Sequence, residues 1–100
     1  MGCLLKWYGT VDAYDSYEQT CPPPSGKHYI KKYAASLVGD KNVKAEFYFN
    51  DTLLWAMHET YEFTVDGETF DANGTTDLVK IKLVNDTGQA ETIGAYIEGD

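Results

Sequence analysis

His28-Tyr29-Ile30-Lys31-Lys32-Tyr33-Ala34-Ala35-Ser36-Leu37-Val38 is the stretch on which the fold class turns. Tyr29, Ile30, Tyr33, Ala34, Leu37 and Val38 recur at helical spacing, with Lys31, Lys32, Ala35 and Ser36 elsewhere on the wheel. Ser25 stands where an N-cap belongs, and Gly39 where a helix stops. The spacing predicts one helix here. The rival reading makes residues 28–38 another strand.

On either side the dominant pattern has period two. Leu5, Trp7 and Val11 oppose Lys6, Tyr8 and Thr10, and Val43, Ala45, Phe47 and Phe49 alternate with Lys44, Glu46, Tyr48 and Asn50. Both runs read as half-buried strands. Tyr61-Glu62-Phe63-Thr64-Val65 and Glu68-Thr69-Phe70-Asp71-Ala72 flank Asp66-Gly67, a strong two-residue hairpin signal because a type I′ turn needs positive φ at both central positions. That register pairs Phe63 with Phe70 and sets Glu62 opposite Asp71. A second hairpin is expected from Val79, Ile81 and Leu83 and from Ile93, Ala95 and Ile97, joined around residues 85–89 with Ile81 opposite Ile93. Residues 53–58 are too short a run to classify. The expected architecture is α+β, an antiparallel sheet of five to six strands with one helix packed on it, in a single domain over residues 1–100. The alternative is an all-β sandwich.

The chain has 100 residues and a net charge of −8, 43% of it is hydrophobic, and all its bases are lysines. Without arginine there is no bidentate phosphate clamp and no usual guanine readout, so direct nucleic-acid binding is not expected. No window is apolar for long enough to form a membrane-spanning helix. The charge is uneven. Residues 1–50 carry six lysines and five acids, +1, whereas residues 51–100 carry two lysines and eleven acids, −9.

Catalytic and metal motifs are near misses. His58-Glu59 opens a zinc-protease pattern whose second histidine position holds Glu62. Asp71-Ala72-Asn73-Gly74 sits in a frame whose first and last calcium-ligand positions hold Thr69 and Lys80. Cys3, Cys21, His28 and His58 show no zinc-ligand spacing. His28 and His58 are the only histidines available for acid–base work, with Lys27, Lys31 and Lys32 as the only cation cluster. No cofactor and no catalytic residue is expected.

Two surface features remain. An acidic sheet face around the first hairpin presents Glu59, Glu62, Asp66, Glu68, Asp71 and Asp77, and the like charges of Glu62 and Asp71 opposed across the hairpin point to a basic partner or a bound cation that relieves them. Asp12-Ala13-Tyr14-Asp15-Ser16-Tyr17-Glu18, ahead of Pro22-Pro23-Pro24, interleaves carboxylates that steer a basic partner with tyrosines that supply contact area. The expected function is a small acidic, non-enzymatic binder or inhibitor docking on a basic protein surface, possible targets including nucleic-acid-handling enzymes. The alternative is an extracellular or virion module binding glycan through Trp7, Trp55 and Tyr14.

Compartment signals conflict. No signal-peptide pattern is present, so the protein is expected to be intracellular or to have had its signal removed, the intracellular reading being favoured. Cys3 and Cys21 enclose a segment in which a disulfide contributes about 3 kcal/mol. Asn50-Asp51-Thr52, Asn73-Gly74-Thr75 and Asn85-Asp86-Thr87 match the N-glycan acceptor pattern at expected turns, the signature of a secreted chain.

Overall fold

The structure is a computed structural model and describes residues 5–64 and 68–99. Nine strands and no helix occur among these residues: β1 (Leu5–Val11), β2 (Asp15–Cys21), β3 (Gly26–Ser36), β4 (Val43–Phe49), β5 (Thr52–Met57), β6 (Tyr61–Thr64), β7 (Thr69–Ala72), β8 (Val79–Asn85) and β9 (Glu91–Gly99). They form two facing antiparallel sheets. The first has the order β1-β9-β3-β6, with β7 also pairing β3, and the second has the order β2-β8-β4-β5. The α+β expectation is therefore overturned in favour of the all-β sandwich.

The pairing has a simple logic. β4 turns back on β5, β3 on β6 and β7, β2 on β8, and β1 on β9. The chain is one long ribbon folded at residues 50–51 and wound round so that its pairs alternate between two layers. This is the strand order of a jelly roll.

The segment expected to be a helix is β3, and a bulge explains the misreading. Its inward positions run His28 and Ile30, then Tyr33 and Ala35. The pairing with β9 slips between Ile30 and Lys32, which leaves Lys31 as an extra residue. One inserted residue turns a step of two into a step of three, and Ile30 and Tyr33 then mimic helical spacing.

Both expected hairpins are also corrected. β6 and β7 do not face each other. They lie end to end along β3, with Tyr61 across from Ala35 and Ala72 across from Gly26. Glu62 is thus in register with Ala34, and Asp71 with Lys27, so the expected carboxylate opposition does not form. The Asp66-Gly67 turn lies outside the described residues. β8 and β9 belong to different sheets, and Ile81 pairs with Gln19 and Phe47 while Ile93 pairs with Gly9.

Alternation does place the core as the sequence implies. Val43, Ala45, Phe47, Val79, Ile81 and Leu83 of the second sheet meet Tyr33, Ile93 and Ile97 of the first, all at 0% exposure. Burying one such aliphatic or aromatic side chain contributes roughly 1.5–3 kcal/mol. Aromatic pairs join the layers along their length: Trp7 on Tyr17 at 4.0 Å, Tyr33 on Phe47 at 4.9 Å and Phe49 on Phe70 at 4.5 Å between ring centroids. Burial pushes the Tyr33 hydroxyl far above its usual range, helped by its 2.8 Å hydrogen bond to the Glu68 carboxylate and by the charge on that group.

Candidate protein-docking surface

Winding the ribbon gathers four connections at one end of the sandwich: residues 12–14, 37–42, 58–60 and 86–90. Asn85, the last residue of β8, ties several of them together. It is fully buried, and its Nδ2 donates to the carbonyl oxygens of Val11, Asp12 and Gln89 at 3.0, 3.2 and 2.8 Å. Its Oδ1 accepts from the Thr87 amide at 3.1 Å and from the Thr87 hydroxyl. The Tyr14 amide donates to Thr87 O at 3.1 Å, and the Asp86 amide to Asn42 O at 2.9 Å. Thr60 Oγ1 accepts from the Leu37 amide at 2.9 Å and donates to the Leu37 carbonyl at 2.7 Å, which adds the last connection.

The charged side chains on this stitched end are mostly acidic. Asp12, Asp15, Asp40, Glu59 and Asp86 are exposed there, with Lys41 as the exposed lysine among them. Asp15 and Asp40 each accept a 2.8 Å hydrogen bond from a nearby backbone amide and stay exposed. Tyr14 stands beside Asp15 and Asp86 with positive φ, 73% exposed, its hydroxyl alongside Gly88. An exposed aromatic that shares a groove with Asp15 and Asp86, and with Lys44 and Lys82 on its floor, pairs contact area with the long-range attraction of this acidic end for cations.

The residues expected to bind a partner are divided by the fold. Asp12, Tyr14, Asp15 and Glu59 meet at this end. Glu68 faces inward to Tyr33. Asp77 is bound at the opposite end by Asn50 Nδ2 and the Asn73 amide, at 3.0 and 2.9 Å. Asp71 is exposed on β7, in register with Lys27. Tyr17 is covered by Trp7, and Glu18 lies 3.8 Å from both Lys80 and Lys82. Glu62 holds a register position on β6, and Asp66 lies outside the described residues. Asp40 and Asp86 were missed by sequence reasoning, because nothing local reveals that residues 40 and 86 are neighbours.

The two histidines are separated by the fold. His28 is buried on β3 beside Phe70, with Nε2 donating to Pro24 O at 2.6 Å, whereas His58 is exposed in the connection that follows β5. No acid–base pair is assembled from them. Among the described residues no three His, Cys, Asp or Glu side chains group to hold a metal ion, and no helix is long and apolar enough to cross a membrane. Cys21 is disulfide-bonded, and Cys3 lies outside the described residues.

No protein-family model and no curated protein matches this chain. Among solved structures it is similar to the solution NMR structure of a de novo designed double-stranded β-helix. That likeness is 18% identical, covers 96% of this chain and 99% of the other, and has a TM-score of 0.46.

Proposed function

We propose that this is a small, non-enzymatic binding or inhibitor protein that docks its acidic loop end on a basic surface of a partner protein. The observation that carries this reading is that all four connections at one end of the sandwich expose a carboxylate, Asp12, Asp40, Glu59 and Asp86, on the same end as exposed Tyr14. Clustered charge of one sign speeds encounter with an opposite surface, and a fixed aromatic adds contact energy at low entropic cost. The partner class this fits best is a protein whose lysines and arginines ordinarily meet phosphates, with carboxylates standing in their place.

The test is capture from nuclease-treated lysate of the source, eluted with a salt gradient. The expected result is one stoichiometric basic protein released as salt screens the contact. Reversing Asp12 and Asp86 to Lys should weaken binding at least a hundredfold, whereas reversing Asp51 and Asp71 at the opposite end should leave it within threefold. Equal losses from the two pairs would remove the loop end as the docking surface.

One observation supports the glycan reading. Tyr8, 66% exposed, lies over Gly94 and, with Tyr96, Ala34, Ser36 and Lys6, lines a shallow groove of about 260 Å³ on the outer face of the first sheet. A sugar ring stacking there would lose its affinity in Tyr8→Ala and keep it in Asp12→Lys, which separates the two readings on a glycan array.

A further inference from the structure

The three Asn-x-Thr triplets all fall at strand ends or turns, and the fold treats their asparagines very differently. Attachment of an N-linked glycan has a defined stoichiometry. The asparagine Nδ2 attacks C1 of the first sugar of a lipid-pyrophosphate-linked oligosaccharide. The N–C1 bond forms, the C1–O bond breaks with its electron pair leaving on the pyrophosphate, and one Nδ2 proton passes to a base of the transferase. The modified amide keeps its carbonyl oxygen and one N–H. An asparagine that uses one N–H or none, and whose nitrogen reaches solvent, can carry the sugar without losing a native hydrogen bond. One that uses both hydrogens in a closed site cannot.

Asn50 is exposed. Its Nδ2 donates once, to Asp77 Oδ1 at 3.0 Å, and its Oδ1 accepts from the Leu78 amide at 2.9 Å. Asn73 is exposed too. Its Nδ2 donates once, to Thr76 Oγ1 at 2.8 Å, while its Oδ1 accepts from the amides of Thr75, Thr76 and Asp77 at 2.9, 3.0 and 3.1 Å. Asn85 is 0% exposed, and its Nδ2 hydrogens are shared among three carbonyl oxygens.

We propose that the folded protein accepts N-linked glycans at Asn50 and Asn73 and excludes one at Asn85. Asn50 and Asn73 share Asp77 as a hydrogen-bond partner at the end of the sandwich remote from Asp12, Glu59 and Asp86, so glycans there leave the acidic loops open. Because sugar is added to the nascent chain, a molecule modified at Asn85 is committed against folding, whereas one modified at the other two is not.

The test is secretion of the full chain from a eukaryotic cell behind a cleavable leader. The soluble and the retained, aggregated fractions are each deglycosylated enzymatically in heavy-oxygen water and mapped by peptide mass spectrometry. The expected result is label at Asn50 and Asn73 in the soluble fraction, with label at Asn85 confined to the aggregate. Thr52→Ala and Thr75→Ala, which leave both asparagines and their side-chain hydrogen bonds in place, should each remove one glycan from the soluble protein. Label at Asn85 in soluble, folded protein would overturn the proposal, and so would bare Asn50 and Asn73 in that fraction.

Discussion

The two ends of the sandwich are built from similar materials and put to different uses. At each end an asparagine from an Asn-x-Thr triplet clamps the connections: Asn85 at one, Asn73 together with Asn50 at the other. At the Asn85 end the clamp is buried and made to backbone carbonyls, so the surrounding carboxylates of Asp12, Glu59 and Asp86 are left facing solvent. At the opposite end a carboxylate is itself part of the clamp, Asp77 accepting from both Asn50 and Asn73. Lys27 and Lys80 stand nearby, with Lys80 placed 4.7 Å over the Tyr48 ring and 3.8 Å from Glu18. Counting acids along the sequence cannot separate these ends. What distinguishes them is which carboxylates the fold has already engaged.

The difference between the ends is tested most directly at Asn85 and Asn73. Asn85→Ala removes the side-chain donor to the carbonyls of Val11 and Asp12 and the acceptor of the Thr87 amide, and should cost about 3 kcal/mol in urea unfolding. If that loss proves no larger than the loss from Asn73→Ala, the buried clamp is not what organises the acidic end. The next effect lies between the ends. Tyr33 is held protonated in the fold by burial and by Glu68, whereas in the unfolded chain it ionises near pH 10. Its contribution is therefore complete below pH 10 and lost as pH rises above it, by up to about 1.4 kcal/mol per pH unit. Tyr33→Phe should flatten that part of the alkaline slope in unfolding measured between pH 9 and 11.

Asn73→Ala should come next, at about 1 kcal/mol, because its acceptor serves three amides that water can otherwise reach. The smallest effect belongs to Glu18→Gln, below about 0.5 kcal/mol, since its ion pairs with Lys80 and Lys82 are solvent-screened. A larger loss at Glu18 in the same unfolding assay would mean that the outer face of the second sheet matters more than either end.

How much of this could be read in advance depends on the range of the interaction. Strand positions and inward faces rest on neighbours two residues apart, and Val43 to Phe49 or Val79 to Leu83 display them plainly. Pairing rests on residues far apart, and each local inference failed where a nonlocal partner competed. Phe63 and Phe70 suit a hairpin, yet each finds its partner on β3, at Tyr33 and His28. The helical appearance of residues 29–38 came from one inserted residue, Lys31, and a bulge has no sequence signature apart from the periodicity it disturbs. The candidate surface was half legible for the same reason. Asp12, Tyr14 and Asp15 announce themselves as a run, whereas their association with Asp40, Glu59 and Asp86 exists only after winding.

The strand pairs are nested like brackets, which sets the order in which the molecule can be completed. Only the innermost bracket, β4 with β5, joins residues close in sequence. Each outer bracket encloses the ones within it, and the outermost joins Leu5 to Ile97. Among the described residues β1 has no sheet partner other than β9, so β1 must wait for β9. Closing loops of increasing length carries an entropic cost before any contact compensates for it, which places such a chain among slow-folding β proteins. During synthesis β1, with the apolar Leu5, Trp7 and Val11, stays without its sheet partner until β9 has been made.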